Sequence, residues 1–323
     1  MKRRQRIGDA NAPLATAEEA VLLARRAPAS AWVCYLAGSV PFILGLLYFW
    51  SDMSRGAYAH ERCAPAALGL ALLFIVMKCG QAMYAGQLMD MVSQQARPWT
   101  WRRFRRMAWV QAAAQPFGML LIPFSMLILI PFAYVYGYFQ NLTVIGDGDD
   151  VDMKHLRKRA WELSKRDGLS HHLSIWLLSP WVLALAMILS FGVSWLLFAI
   201  TMAEVGQDVW IWFVMGALVF VFVMWPLSPV GFALFINLLF LFLYIPELLR
   251  IFLGWDTVFR LSSGYAVANT TFLLAIYGVV YLCMDPIMKA AYVLRCFRGE
   301  SLSNGRDLMV ALQEVQVTRE EQS

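Results

Sequence analysis

Several runs of this chain stay apolar for as long as a helix needs to cross a lipid bilayer, about 20 residues. Ala31–Trp50 holds no charge, Pro65–Tyr84 holds only Lys78, and Ser174–Met202 holds none. Val209–Leu249 is long enough for two crossings, and Ala266–Met284 supplies one more. Composition agrees, since the 323 residues are 60% hydrophobic and 15% charged, against about 45–50% and about 25% in soluble domains. The implied fold class is all-α: a polytopic transmembrane helix bundle of about six full spans, a proline-broken membrane segment and an amphipathic interfacial helix. So many spans leave no room for a soluble catalytic domain.

Charge sets the threading, because Lys and Arg in short loops collect on the cytoplasmic side. RPWTWRRFRR, after the second span, carries Arg97, Arg102, Arg103, Arg105 and Arg106 and no acid. LRKRAWELSKR carries Arg157, Lys158, Arg159, Lys165 and Arg166 against Glu162, with Lys154 just ahead of it. Lys289, Arg295 and Arg298 follow the last span, whereas Ser51–Arg62 and Gly254–Tyr265 are balanced and Ala203–Asp208 is acidic. Both termini are therefore expected in the cytoplasm. Residues 1–30 read as a cytoplasmic segment in which Lys2, Arg3, Arg4 and Arg6 precede an interfacial helix. Thr16 and Glu19 form a capping box at its start, and Pro28 ends it. A cleaved signal peptide would place its apolar core directly after the basic residues. Residues 31–296 make the helical domain, and 297–323 a cytoplasmic tail. That tail reads as a loop and then a short helix from near Asn304, with Leu308, Leu312 and Val315 on one face for a partner protein or for folding back.

Two basic loops on one side constrain what lies between them. Met107–Asn141 is 35 residues long and contains Pro116, Pro123 and Pro131. Proline inside a helix removes a hydrogen bond and kinks or breaks it. The segment is expected to form two short, proline-broken helices that return to the cytoplasm. The alternative is one long kinked crossing, which strands the charges of 154–166 on the opposite side. The long run at 209–249 divides at Pro226 and Pro229, giving Val209–Trp225 and Val230–Arg250.

Residues 151–166 read as an amphipathic helix, with Met153, Leu156, Ala160 and Leu163 in one stripe. Trp161 sits at its edge, and the acidic run GDGDDVD precedes its positive dipole end. Such a helix lies in the interface with its charges toward anionic lipid. With WTWRRFRR it makes a cationic face of Arg102, Arg103, Arg105, Arg106, Arg157, Lys158, Arg159, Trp161, Lys165 and Arg166. The face serves topology and anchoring, or docks a lipid headgroup or an acidic partner.

The order of proline-rich helix, acidic turn and KRAWELSK before a long span resembles the bacterial membrane domain attached to some glycerophosphodiester phosphodiesterases, and its stand-alone uncharacterised relatives. In that family a basic-Ser-Trp-x-Leu-Thr/Ser-Lys-Gly signature follows the third membrane segment. Lys158, Arg159, Trp161, Leu163, Ser164 and Lys165 match it, while Ala160 replaces the serine and the glycine is displaced to Gly168. The resemblance covers roughly residues 20–295. It implies a helical membrane module of unassigned function and brings no catalytic residues, because the phosphodiesterase chemistry belongs to a separate barrel.

Ionisable groups inside spans are functional candidates. Lys78 and Asp285 both fall in the cytoplasmic half of their spans, where they pair, or where Lys78 snorkels and Asp285 merely precedes the kink at Pro286. Gln81, Gln111, Gln115 and Asn237 suit interhelical hydrogen bonds, and Glu247 and Arg250 suit a salt bridge at a span end. His171 and His172 are adjacent and point apart. Asp147, Asp149, Asp150 and Asp152 lack the glycine and closing glutamate of a calcium loop. Cys34, Cys63, Cys79, Cys283 and Cys296 show no metal or redox spacing. Asn141 and Asn269 head glycosylation sequons by pattern. No Ser-His pair, HExxH, P-loop or GxSxG is present. The chain therefore reads as a non-enzymatic integral protein of the bacterial inner membrane, a scaffold or complex subunit without cofactor or metal. Its expected partners are anionic lipid headgroups and another membrane protein, not nucleic acid. A transporter or lipid-handling channel built on a discontinuous helix is the alternative, followed by a membrane enzyme.

Overall fold

The computed structural model describes residues 12–95, 97–127, 129–149, 152–166, 168–180, 182, 185, 187–189, 192, 229–255, 269–305, 308–310 and 312. Among these residues the protein is all-helical, with no strand. The longer helices are α1 (Ala12–Arg25), α2 (Ala29–Arg55), α3 (Ala59–Ser93), α4 (Trp101–Leu127), α5 (Leu129–Ile145), α6 (Met153–Lys165), α7 (Gly168–Leu178), α8 (Pro229–Leu253) and α9 (Thr270–Asn304). Among the described residues, four stretches are long and apolar enough to cross a membrane: α2, α3, α8 and Thr270–Leu302 of α9. They coincide with four of the expected spans. Of the other two, 209–225 lies outside the described residues and 174–202 does so for the most part.

The described residues form two compact units, one running up to Ser174 and resuming at Pro286, the other Ile175–Asp285. In the first, α2 and α3 are joined by a three-residue link at 56–58 and run antiparallel. Their backbones touch: a Cβ on Gly80 would lie 2.5 Å from the Cys34 carbonyl oxygen, and one on Gly38 would lie 3.0–3.2 Å from the backbone of Val76, Met77 and Gly80. Tyr35 meets Tyr84 at 5.5 Å between ring centroids on one side of this crossing, and Phe42 meets Phe74 at 5.8 Å on the other.

Helices α4 and α5 also run antiparallel. The Gln111 amide donates to the Gly146 carbonyl at 3.3 Å, and Gln115 donates to the Phe139 carbonyl at 3.2 Å and to Thr143 Oγ1 at 3.0 Å. Pro116 and Pro123 lie inside α4 without ending it. Pro131 is the third residue of α5, a position where proline costs little because the first turn has no intrahelical acceptor for its N–H. Of the three prolines expected to break this segment, two lie within α4.

Helix α6 starts at Asp152, whose carboxylate accepts from the Lys154 N–H at 2.9 Å. Leu156, Ala160 and Leu163 are buried as the stripe requires, and Asn141 of α5 donates to the Ala160 carbonyl at 3.2 Å. Helix α9 continues through Pro286 to Asn304 and ends at Gly305, whose φ of 65° suits the left-handed cap that glycine supplies. Residues 297–304, expected as a loop, are thus helical. In the second unit Phe232 and Phe235 of α8 pack with Ile276, Val280 and Met284 of α9, and the Tyr277 hydroxyl donates to the Pro180 carbonyl at 3.0 Å.

Candidate functional site

The first unit concentrates its charge where α3 ends, α4 begins and α5 ends. The turn after α5 carries Asp147, Gly148 and Asp149. Gly148 adopts φ 87°, and a Cβ there would fall 2.2 Å from the Arg103 carbonyl oxygen. Only glycine lets this turn lie so close to the start of α4. Arg103 is 5% exposed. It donates to the Asp147 carboxylate at 2.8 Å, to the Asp147 carbonyl at 3.1 Å and to the Arg97 carbonyl at 3.1 Å. Its guanidinium also lies 4.2 Å from the Trp99 ring centroid. Arg97 reaches Asp90 at the end of α3 at 2.7 Å, Asp147 at 3.0 Å, and Asp149 as well. Burial alone would lower the Arg97 pKa, but Asp147, Asp90 and Asp149 outweigh it and hold the value above normal, so the group stays cationic.

In front of this clamp lies an open cleft of about 290 Å³, lined by Arg97, Thr100, Arg102, Arg103, Arg106 and Asp149 among others. Arg102 is exposed and Arg106 half-buried. Neither lies within ion-pair distance of a carboxylate among the described residues. Thr100 caps α4 by accepting from the Arg103 N–H at 3.2 Å.

Several candidate residues of the cationic face are placed differently from expectation. Arg103 does not point outward but is locked behind the cleft. Arg159 pairs with Glu300, and Arg166 donates to the Gly299 carbonyl, so α6 is tied to the end of α9. The apolar stripe of α6 meets protein where lipid was expected. Arg102, Arg105, Arg157, Lys158 and Lys165 remain exposed, with the Lys165 ammonium 4.7 Å from the ring centroid of the exposed Trp161. Thr16 and Glu19 do not cap α1, which already includes Ala12; both accept from Arg298.

Inside the helices, Lys78 is buried, donates to Gln81 Oε1 at 3.2 Å and lies 5.5 Å from the Phe74 ring centroid. Asp285, 2% exposed, closes the second unit, and Lys78 belongs to the first. Lys289, counted by sequence with the basic tail, is fully buried and donates to Gln140 Oε1 at 2.5 Å. Asn141 also accepts from the Cys296 thiol at 3.3 Å and is buried, so its sequon is closed to modification. His171 is buried against the Tyr292 hydroxyl at 2.8 Å, while His172 faces the Tyr134 ring. Among the described residues, Asn237 bonds along its own helix, to the Ala233 carbonyl at 2.7 Å. Glu247 and Arg250 form the expected salt bridge at 2.5 Å.

The sequence signal for the clamp was a pair of oppositely charged runs, RPWTWRRFRR and GDGDD, bracketing one proline-rich segment. Comparison with known proteins adds nothing to this geometry: no family model, curated protein or solved structure matches the chain.

Proposed function

We propose that the chain is a non-enzymatic scaffold or subunit of a bacterial inner-membrane complex, with its cationic end in the cytoplasm against anionic lipid. The observation that carries this reading is how the polar groups among the apolar helices are used. Gln111, Gln115, Asn141, Lys289 and His171 are buried, and each joins its helix to another element. Polar groups spent in this way fix helices in place, whereas a transport path needs them facing water. The exposed Arg102, Arg105, Arg157, Lys158 and Lys165 then supply attraction to an anionic surface, roughly 1 kcal/mol each. Purification of the tagged full-length protein in mild detergent tests the reading. A membrane protein that co-purifies in fixed ratio is the expected result, and a homogeneous, partner-free chain overturns it.

One observation favours a transporter as the second reading. Asp285 is buried immediately before Pro286 inside α9, and ionisable groups at such depth mark ion pathways. Proton or solute flux into proteoliposomes that Asp285→Asn abolishes would replace the scaffold reading with this one.

A further inference from the structure

Among the described residues, the cleft at the start of α4 holds more positive charge than its acids neutralise. Asp90, Asp147 and Asp149 are spent on Arg97 and Arg103. Arg102 and Arg106 line the same cavity without a carboxylate of their own among the described residues. Two unneutralised guanidinium groups sharing one cavity repel each other, and an oxyanion between them removes that cost. Guanidinium forks suit phosphate because two parallel N–H donors match two phosphate oxygens. The acids differ in how firmly they are held: the Asp147 side chain is 7% exposed and that of Asp149 is 49% exposed. Asp149 is therefore the carboxylate an incoming anion displaces, releasing part of Arg97 toward the ligand.

Size and surroundings narrow the ligand. A volume of about 290 Å³ sits at the lower limit of small-molecule sites, about 300–1,000 Å³, which suits a headgroup and not a large cofactor. On the same helix, Trp101 and Trp109 are 74% and 71% exposed, and Trp101, next to the lining Thr100 and Arg102, stacks on Phe104 at 5.5 Å. Exposed tryptophans of this kind collect at the headgroup level of a bilayer.

We infer that the cleft between Arg97, Arg102, Arg106 and Asp149 is a phosphate-binding site that takes the headgroup phosphate of an anionic phospholipid, with Asp149 as the internal competitor. The inference rests on the reading that this end of the protein faces an anionic membrane surface. Free phosphate offers the same chemistry, so the test has two arms. Full-length protein in mild detergent is titrated with dihexanoylphosphatidylglycerol in one arm and with inorganic phosphate in the other, with dihexanoylphosphatidylcholine as the zwitterionic control. Tryptophan fluorescence follows binding, since Trp99 and Trp101 flank the site. Saturable binding is expected, weakened about tenfold or more in the double variant Arg102→Ala/Arg106→Ala and tightened in Asp149→Asn. Arg102 is exposed, and monodispersity in detergent confirms that each variant folds. Tighter binding in the lipid arm supports the headgroup assignment, and tighter binding in the phosphate arm keeps the oxyanion site while overturning the lipid. No saturation in either arm, or affinities that the double variant leaves unchanged, overturns the site altogether. A partner that co-purifies equally well with the double variant shows that the complex stands where the cleft fails.

Discussion

Asp147 and Asp149 are two residues apart, both contact Arg97 and Arg103, and differ in what their loss costs. Asp147 is buried against a buried Arg103, and removing one partner of such a pair leaves an uncompensated charge at about 3–5 kcal/mol. Asp149 is half exposed, and exposed pairs contribute about 0–1 kcal/mol. Asp147→Ala should therefore lower the unfolding midpoint in detergent steeply, and Asp149→Ala hardly at all; equal shifts would mean that the clamp does not hold the turn. Gly148→Ala should behave like Asp147→Ala, because the new Cβ has no room and its φ of 87° is strained for alanine. The charges of this site were legible from the two runs that bracket α4 and α5. Which arginine is buried was not, because Arg102, Arg103, Arg105 and Arg106 look alike until the helix phase is fixed by a partner 44 residues away. Thr16 and Glu19 misled for a related reason: the spacing that makes a capping box also sets two acceptors about one turn apart, and Arg298 uses them so.

At the scale of elements, the α2–α3 crossing depends on glycine for closeness and not for flexibility. Gly80→Ala would drive a Cβ into a backbone carbonyl, which cannot rotate away as a side chain does, and overpacking of this kind costs about 1–3 kcal/mol or more. Gly69 lies in the same helix with nothing within 4 Å of its Cβ position, so Gly69→Ala gains helix propensity at no steric cost. Thermal unfolding in detergent should separate the two, with Gly80→Ala destabilised and Gly69→Ala at or above the parent; equal behaviour would place the crossing elsewhere. Periodicity located α6 to within two residues at either end and picked out its buried stripe. It could not say what the stripe meets, because lipid tails and a neighbouring helix ask for the same apolar residues. Proline positions likewise marked an unusual segment, but Pro116 and Pro123 lie within α4, which Gln111 and Gln115 join to the end of α5.

For the whole molecule, the apolar runs carried most of the information, and four of them correspond to helices fit to cross a membrane. An ion pair bears on the proposed threading between them. Arg97 and Asp149 contact each other, yet they stand at the two ends of the segment containing α4 and α5. A full crossing would set those ends about 30 Å apart on opposite faces, so the contact supports the proposed return of the segment to one face. The proposed orientation then places Arg97, Asp149 and Lys158 in the cytoplasm and the α2–α3 link outside. The chain carries its own probe for the outer side, because Cys63 is exposed in the second turn of α3. A membrane-impermeant maleimide should label Cys63 in intact cells whose outer membrane has been opened. In a Cys63→Ala background, Lys158→Cys should react only after the inner membrane is permeabilised. Labelling of position 158 from the periplasm would reverse the orientation and take the cationic face away from the cytoplasmic leaflet.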